Sequence, residues 1–326
     1  QLVEEVWLPD LLGGSFRQRT LSMGSDAEGE IVATLVRLLP SWPATWTAPL
    51  RDVDVLYVHG WSDYFFQTGL AQWWVDRGAR FYALDLRKYG RSLRPGQTPG
   101  YISSLSEYDA DIAAALSAMG RHDKPARRLV LLGHSTGGLT LSLWAARHPG
   151  VASALVLNSP WLEFQTGAWG REALTPLVAA RARWDPLGMH PVVDLGFYTR
   201  AQQEVGTLPE APEGWRPERG FPTTPGWLKA VLDGHDTVAR GIDVACPALV
   251  LLSQRSSSPL VWRPDMLETD SVLVVDDIAR AATRLGRLVT IARIDGALHD
   301  VFLSRAQARD EAYGVLEEWM RSPVIR

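Results

Sequence analysis

The stretch that most constrains this chain is Gly133-His134-Ser135-Thr136-Gly137, followed by Gly138. It reads G-x-S-x-G. Arg127 to Leu132 before it is a short run with an apolar end, suited to a buried strand. Leu139 to Arg147 after it suits a helix. A serine on so sharp a strand-to-helix turn is forced into a strained backbone conformation, and neighbouring side chains would collide with the strand and helix. Gly133 and Gly137 remove those collisions. Ser135 Oγ is then presented at the carboxyl end of a sheet, at a helix start that favours negative charge.

The rest of the chain agrees with a sheet of that kind. Glu30 to Leu38 and Val53 to Val58 read as strands, Asp63 to Arg77 as a helix, and Ala79 to Leu84 as a strand. Ser103 to Met119 reads as a helix, and Ala154 to Asn158, beyond the strand-to-helix elbow at Ser135, reads as another short strand. Residues 1–27 carry glycine breakers and are read as irregular; Pro40, Pro43 and Pro49 mark a loop. Alternation of strand and helix over 28–158 implies an α/β protein with a mostly parallel sheet flanked by helices.

From Ser159 the alternation stops. Residues 159–243 hold Trp161, Trp169, Trp184, Trp215 and Trp227 with many prolines, and 206–226 is a Gly/Pro-rich loop. Alternation resumes with a strand at 247–252, a helix over Asp276 to Leu285, a last strand over Leu288 to Ile294, and a closing helix over Ser304 to Arg321. The expected organisation is therefore a core of 1–158 and 244–326 with 159–243 inserted as a cap; a second independent domain is the rival.

Bulk properties exclude more than they identify. Net charge is −4, with 46% hydrophobic and 21% charged residues, so there is no electrostatic case for nucleic acid. No apolar run approaches the ~18 residues of a membrane span. The lone Cys246 allows no internal disulfide and fits a cytoplasmic setting, with export left open because the sequence does not begin with Met. No clustered metal-ligand spacing occurs, and no cofactor or metal is expected.

His59-Gly60, Asp85 through Gly90-Arg91-Ser92, Gly133 through Gly138, and Gly296-Ala297-Leu298-His299-Asp300 together resemble the monoglyceride-lipase-like, serine aminopeptidase-type branch of the α/β-hydrolases. The resemblance covers about 28–158 and 245–322. It departs from the family at Lys88, where a glycine is usual, and at the long segment after the strand at 247–252. It implies an α/β-hydrolase fold and a serine hydrolase of carboxylic esters such as acylglycerols or lysophospholipids, the partner being a small-molecule ester. Acyl transfer, cleavage of amides, lactones or C–C bonds, and a catalytically vestigial ligand-binding homologue are the alternatives.

A serine hydroxyl needs a neighbouring base, and the base needs a carboxylate to orient it. In this fold the order is Ser, acid, His. His299, on a loop after the last strand, fits the base. His59 and His134 belong to the motifs, His122 and His148 sit at helix ends, and His190 and His235 lie in the insertion. The N–H groups of Trp61 and Thr136 are the expected oxyanion hole. Asp265, Asp270, Asp276 and Asp277 compete for the acid. Asp276 and Asp277 open a helix, which already explains them. Asp270 is preferred because Asp270-Ser271-Val272-Leu273 resembles the family's acid loop. Trp161 and Trp169, next after the last strand before the insertion, are expected to bind substrate.

Overall fold

The computed structural model describes residues 6–41, 47–121, 127–189 and 194–325, so His122, His190 and Pro43 lie outside the described residues. In chain order the elements are β1 (Leu8–Pro9), β2 (Arg17–Asp26), β3 (Gly29–Leu38), β4 (Val53–Val58), α1 (Thr68–Asp76), β5 (Arg80–Asp85) and α2 (Tyr108–Ala118). Then come β6 (Arg128–His134), α3 (Thr136–Arg147) and β7 (Ala154–Asn158). The insertion supplies α4 (Gly167–Trp184), α5 (Phe197–Val205) and α6 (Pro225–Ala239). β8 (Ala248–Ser253), α7 (Val275–Ala282), β9 (Val289–Ile294) and α8 (Ala306–Arg321) complete the fold.

The strands form one sheet in the order β1-β2-β3-β5-β4-β6-β7-β8-β9. β5, β4, β6, β7, β8 and β9 pair in parallel, while β1, β2 and β3 add an antiparallel edge. The chain runs outward one way from β4 to β5 and the other way from β6 onward. Their carboxyl ends therefore flank the crevice where ligands sit in open α/β sheets. The central strands are apolar throughout because both faces are covered. In β6, Leu129 and Leu131 pack into the core on one face, and Val130 and Leu132 into the core on the other.

Three local readings change. Residues 17–26 form a long strand, although Gly24 marks a break in a stretch read as irregular. β2 pairs with β3 across a tight turn at 26–29, and its exposed outer face explains the weak apolar signal. The first helix starts at Thr68, five residues later than expected. The N–H of Phe65 donates to Asp85 Oδ1 at 2.9 Å and that of Phe66 to Gln67 Oε1 at 3.0 Å, diverting those groups from a helical ladder. The segment expected as one helix from Ser103 opens with a short 3-10 turn at Leu105–Glu107 before α2.

Lys88 takes the left-handed conformation, φ +63°, at the position where a glycine was expected. Its buried ammonium pairs with Asp26 Oδ2 at 2.6 Å and Glu28 Oε2 at 2.5 Å, which ties the β2–β3 turn to the sheet. Those charge-assisted bonds offset the backbone strain.

The insertion does not stand apart from the sheet. Trp161, Leu162, Phe221, Trp227, Val231 and Val238 belong to the same apolar core as β4, β6 and β7. Thr224 caps α6 by accepting the N–H of Trp227 at 3.3 Å, and Pro225 opens its first turn. Among the described residues no helix is long and apolar enough to cross a membrane.

Candidate active site

Ser135 sits between the last residue of β6 and the first of α3, with φ +51° and ψ −118°. That is a costly conformation for a residue with a Cβ. The neighbouring glycines make it attainable. A Cβ on Gly137 would lie 2.3 Å from the His59 carbonyl oxygen, and one on Gly133 would lie 2.7 Å from the Gly137 oxygen. Trp161 N–H donates to Ser135 O at 2.9 Å, and Ser135 N–H donates to Asn158 O at 3.0 Å. Thr136 is the first residue of α3, so its N–H has no intrahelical acceptor.

The loop after β4 lies directly against this turn. A Cβ on Gly60 would stand 3.0 Å from Ser135 Cβ, so the chain passes Ser135 too closely for a side chain to fit freely just before Trp61. His59 holds that loop in place. Its Nε2 accepts the N–H of Leu86 at 3.1 Å and its Nδ1 lies 2.7 Å from Gly60 O. One nitrogen accepts and the other donates, so the ring is neutral; burial pushes its pKa below the usual histidine range. The first glycine and the histidine thus shape the approach to Trp61.

His299 follows β9 on a loop held by Ser253 Oγ, which donates to Ala297 O at 2.7 Å, and by the N–H of Leu298, which donates to Ser304 Oγ at 2.8 Å. His299 Nδ1 lies 2.8 Å from Asp270 Oδ2, and both side chains are buried. Asp270 Oδ1 accepts the N–H groups of Val272 and Leu273 at 2.7 and 2.8 Å, so the carboxylate is fixed from both sides. The segment after β8 loops out and returns: Asp270 N–H donates to Arg255 O at 3.0 Å, and Ser257 N–H to Asp270 O at 2.9 Å. That return sets Asp270 beside Ser256, just past the end of β8. The other acid candidates are occupied elsewhere. Asp265 pairs with Arg263, Asp276 with Arg293 and Asp277 with Arg280.

A second ring of polar groups surrounds these residues. His134 Nδ1 lies 3.1 Å from Asn158 O, and burial lowers its pKa, opposed by the Asp300 carboxylate. Asp300 Oδ1 accepts Asn158 Nδ2 at 2.6 Å. From the insertion, the Tyr198 ring meets His299 edge-on at 5.4 Å, and its hydroxyl accepts the N–H of Asp300 at 3.1 Å. Arg216 pairs with Asp63 at 3.1 Å and donates to Gln202 Oε1 at 2.5 Å. Burial nevertheless leaves the Asp63 carboxyl above its ordinary pKa. Asn158 and Asp300 left one trace each in the sequence: a polar residue ending an apolar strand, and the residue after His299. Tyr198 and Arg216 left none, because they reach the site only through the packing of the insertion.

The two tryptophans expected here part company. Trp161 is buried beside the elbow, 6.0 Å from Trp227 between ring centres, and Trp227 in turn lies 3.7 Å from Trp61. Trp169 is 84% exposed on α4 and is not brought to the Ser135 turn. The helix phase explains this: the next residues, Gly170 and Arg171, face inward, and Arg171 pairs with Glu163 at 2.8 Å and Asp236 at 3.4 Å. Trp169 is thereby turned to solvent. His235, set aside as an insertion histidine, is buried with Nε2 donating to Trp161 O at 2.8 Å.

Comparison with known proteins places this architecture. A 134-residue stretch is 33% identical to a monoacylglycerol lipase of Mycolicibacterium smegmatis, covering 41% of this chain and 44% of that protein. A 190-residue stretch is 26% identical to lysophospholipase L2 of Escherichia coli, covering 52% of this chain and 54% of that one. The chain thus spans about half the length of these curated relatives. Among solved structures, the Paleococcus ferrophilus monoacylglycerol lipase superposes with a TM-score of 0.62 at 20% identity, over 88% of this chain and 98% of that one. A carboxyl esterase from Bacillus coagulans gives 0.65 at 13% identity, over 96% and 100%. These likenesses establish the shared fold. Residues 51–306 match the family described as serine aminopeptidase, S33, and the chain belongs to that monoglyceride-lipase-like branch of the α/β-hydrolases.

Proposed function

We propose that this protein hydrolyses carboxylic esters of the acylglycerol or lysophospholipid type, with Ser135, His299 and Asp270 as its triad. The observation that carries the reading is the 2.8 Å contact between His299 Nδ1 and Asp270 Oδ2, both buried, on loops at the same sheet edge as the strained Ser135 turn. Asp270 holds the imidazole with Nε2 free to act as base. Ser135 Oγ attacks the ester carbonyl while Nε2 takes its proton. The N–H groups of Trp61 and Thr136 bind the oxyanion. The intermediate collapses, the same proton goes to the leaving alcohol, and water repeats the sequence on the acyl-enzyme. The names of the two curated relatives support the substrate class.

Residues 159–243 serve as the cap over the core of 1–158 and 244–326 in this reading. The aromatic wall of Trp61, Trp161 and Trp227 favours an apolar acyl group beside the nucleophile. A fluorophosphonate probe tests the mechanism: it should label the wild-type protein and leave Ser135→Ala unlabelled. Labelling of that variant, or an inert wild type, would remove the proposal. A series of p-nitrophenyl esters from acetate to palmitate then fixes the acyl preference.

A further inference from the structure

Asn158, the last residue of β7, joins the nucleophile turn to the histidine loop. Its main-chain carbonyl accepts Ser135 N–H at 3.0 Å and lies 3.1 Å from His134 Nδ1. Its side chain reaches the other way. Nδ2 donates to Asp300 Oδ1 at 2.6 Å, and Oδ1 accepts the N–H of Val301 at 3.1 Å. One residue therefore stands between Ser135 and the two residues that follow His299. Asp300 is enclosed by donors: the N–H of Phe302 reaches Oδ1 at 3.0 Å and Gln67 Nε2 reaches Oδ2 at 3.3 Å. Among the described residues no arginine or lysine is bonded to it. Amides thus satisfy a buried carboxylate with no bonded counter-ion among the described residues, and the shortest of these bonds comes from Asn158.

We propose that Asn158 is a positioning residue: acting through Asp300 and Val301, it sets where the His299 ring stands relative to Ser135. The inference rests on the reading of Ser135 and His299 as nucleophile and base. The side chain required at 158 must donate and accept at once, across a short and fixed gap. Leucine has the volume and neither bond. Aspartate has the acceptors, but meets Asp300 at 2.6 Å only by holding a proton between the two carboxyls.

The test compares wild type, Asn158→Leu and Asn158→Asp by fluorophosphonate labelling rate, steady-state ester kinetics and thermal melting. Kinetics are run well below each melting temperature and scaled to the folded fraction. Asn158→Leu should lower kcat and the labelling rate together by about 10- to 100-fold with little change in KM, since small misplacements of reacting groups cost that much.

Asn158→Asp should acquire an alkaline fall in kcat that wild type lacks, as the shared proton leaves and the carboxylates repel. The charged and titratable groups around that position are Asp300, Asp63 with Arg216, His134, His299, Tyr57, Tyr198 and Tyr313. Deprotonation there leaves two carboxylates in contact with no cation bonded to either. A wild type that does not label overturns the serine-hydrolase reading and this proposal with it. A wild type that labels, beside an Asn158→Leu variant with unimpaired kcat and a lowered melting temperature, overturns the positioning role alone. So does an Asn158→Asp profile that superimposes on wild type.

Discussion

The sheet and the insertion bury their aromatic residues by opposite logic. In the sheet, apolar side chains alternate between two faces and each finds a helix above it, so strands such as β4 and β6 have no exposed side. In the insertion one helix faces inward and another faces out. Trp227 on α6 is 2% exposed and packs tilted against Trp61, while Trp169 and Trp184 on α4 are 84% and 87% exposed. The insertion is attached to the core by a few polar contacts as well. Arg216 pairs with Asp63, Thr207 donates to Leu303 O, and the N–H of Phe221 donates to Ser62 Oγ. A tryptophan count therefore says nothing about which tryptophans meet the site. Helix phase and the buried ion pairs of Arg171 decide that.

The sharpest division places the proposed chemistry wholly in the core. Ser135→Ala and Asp270→Asn should each lower kcat for a p-nitrophenyl ester by about 10⁴-fold or more and leave circular dichroism and melting close to wild type. Near-normal turnover in either would move that role elsewhere.

The next largest effect tests whether the insertion is built into the core. Trp227→Ala removes a buried ring shared by α6 and the sheet and should cost about 3–5 kcal/mol in a single cooperative unfolding transition. Two resolved transitions, with the sheet's unchanged, would make 159–243 an independent unit.

Acid should weaken the join between insertion and elbow. Burial pushes the His235 pKa down to about 3, against the bond it donates to Trp161 O. The unfolded chain takes up the proton below about pH 6.5, and the folded one refuses it. Stability is therefore intact above that pH and falls as pH drops from there toward 3. Burial depresses His59 and His134 in the same direction, so they add to the loss. His235→Gln should remove about 2 kcal/mol of the stability lost between pH 7 and pH 5, read from denaturant melts at both. An unchanged acid slope would assign the loss to the core histidines.

The smallest effect completes the contrast. Trp169→Ala and Trp184→Ala, on the outer face of α4, should each change stability by less than about 0.5 kcal/mol and leave kcat for soluble short-chain esters unaltered. A large loss from either would mean that α4 covers the cleft more closely than its exposure indicates.

The sequence alone determined whatever local sterics and periodicity control. A serine between an apolar strand and a helix, with glycines on both sides, has few conformations open to it, and Ser135 adopts the strained one. Apolar runs too long and too regular to be surface predicted the parallel strands, and the late loop holding His299 followed from their order. The strand at 17–26 is not legible in the sequence because an outward-facing antiparallel edge carries polar residues, so its pairing with β3 is visible only in three dimensions. Tertiary structure also decided which contacts close across the chain. Asp270 meets His299 only because the segment after β8 loops out and returns to Ser256, just past that strand, and Asn158 reaches Asp300 only because β7 ends beside the histidine loop. Contacts between residues far apart in sequence depend on how elements pack. A residue's type sets what it can bond, and the packing sets what comes within reach.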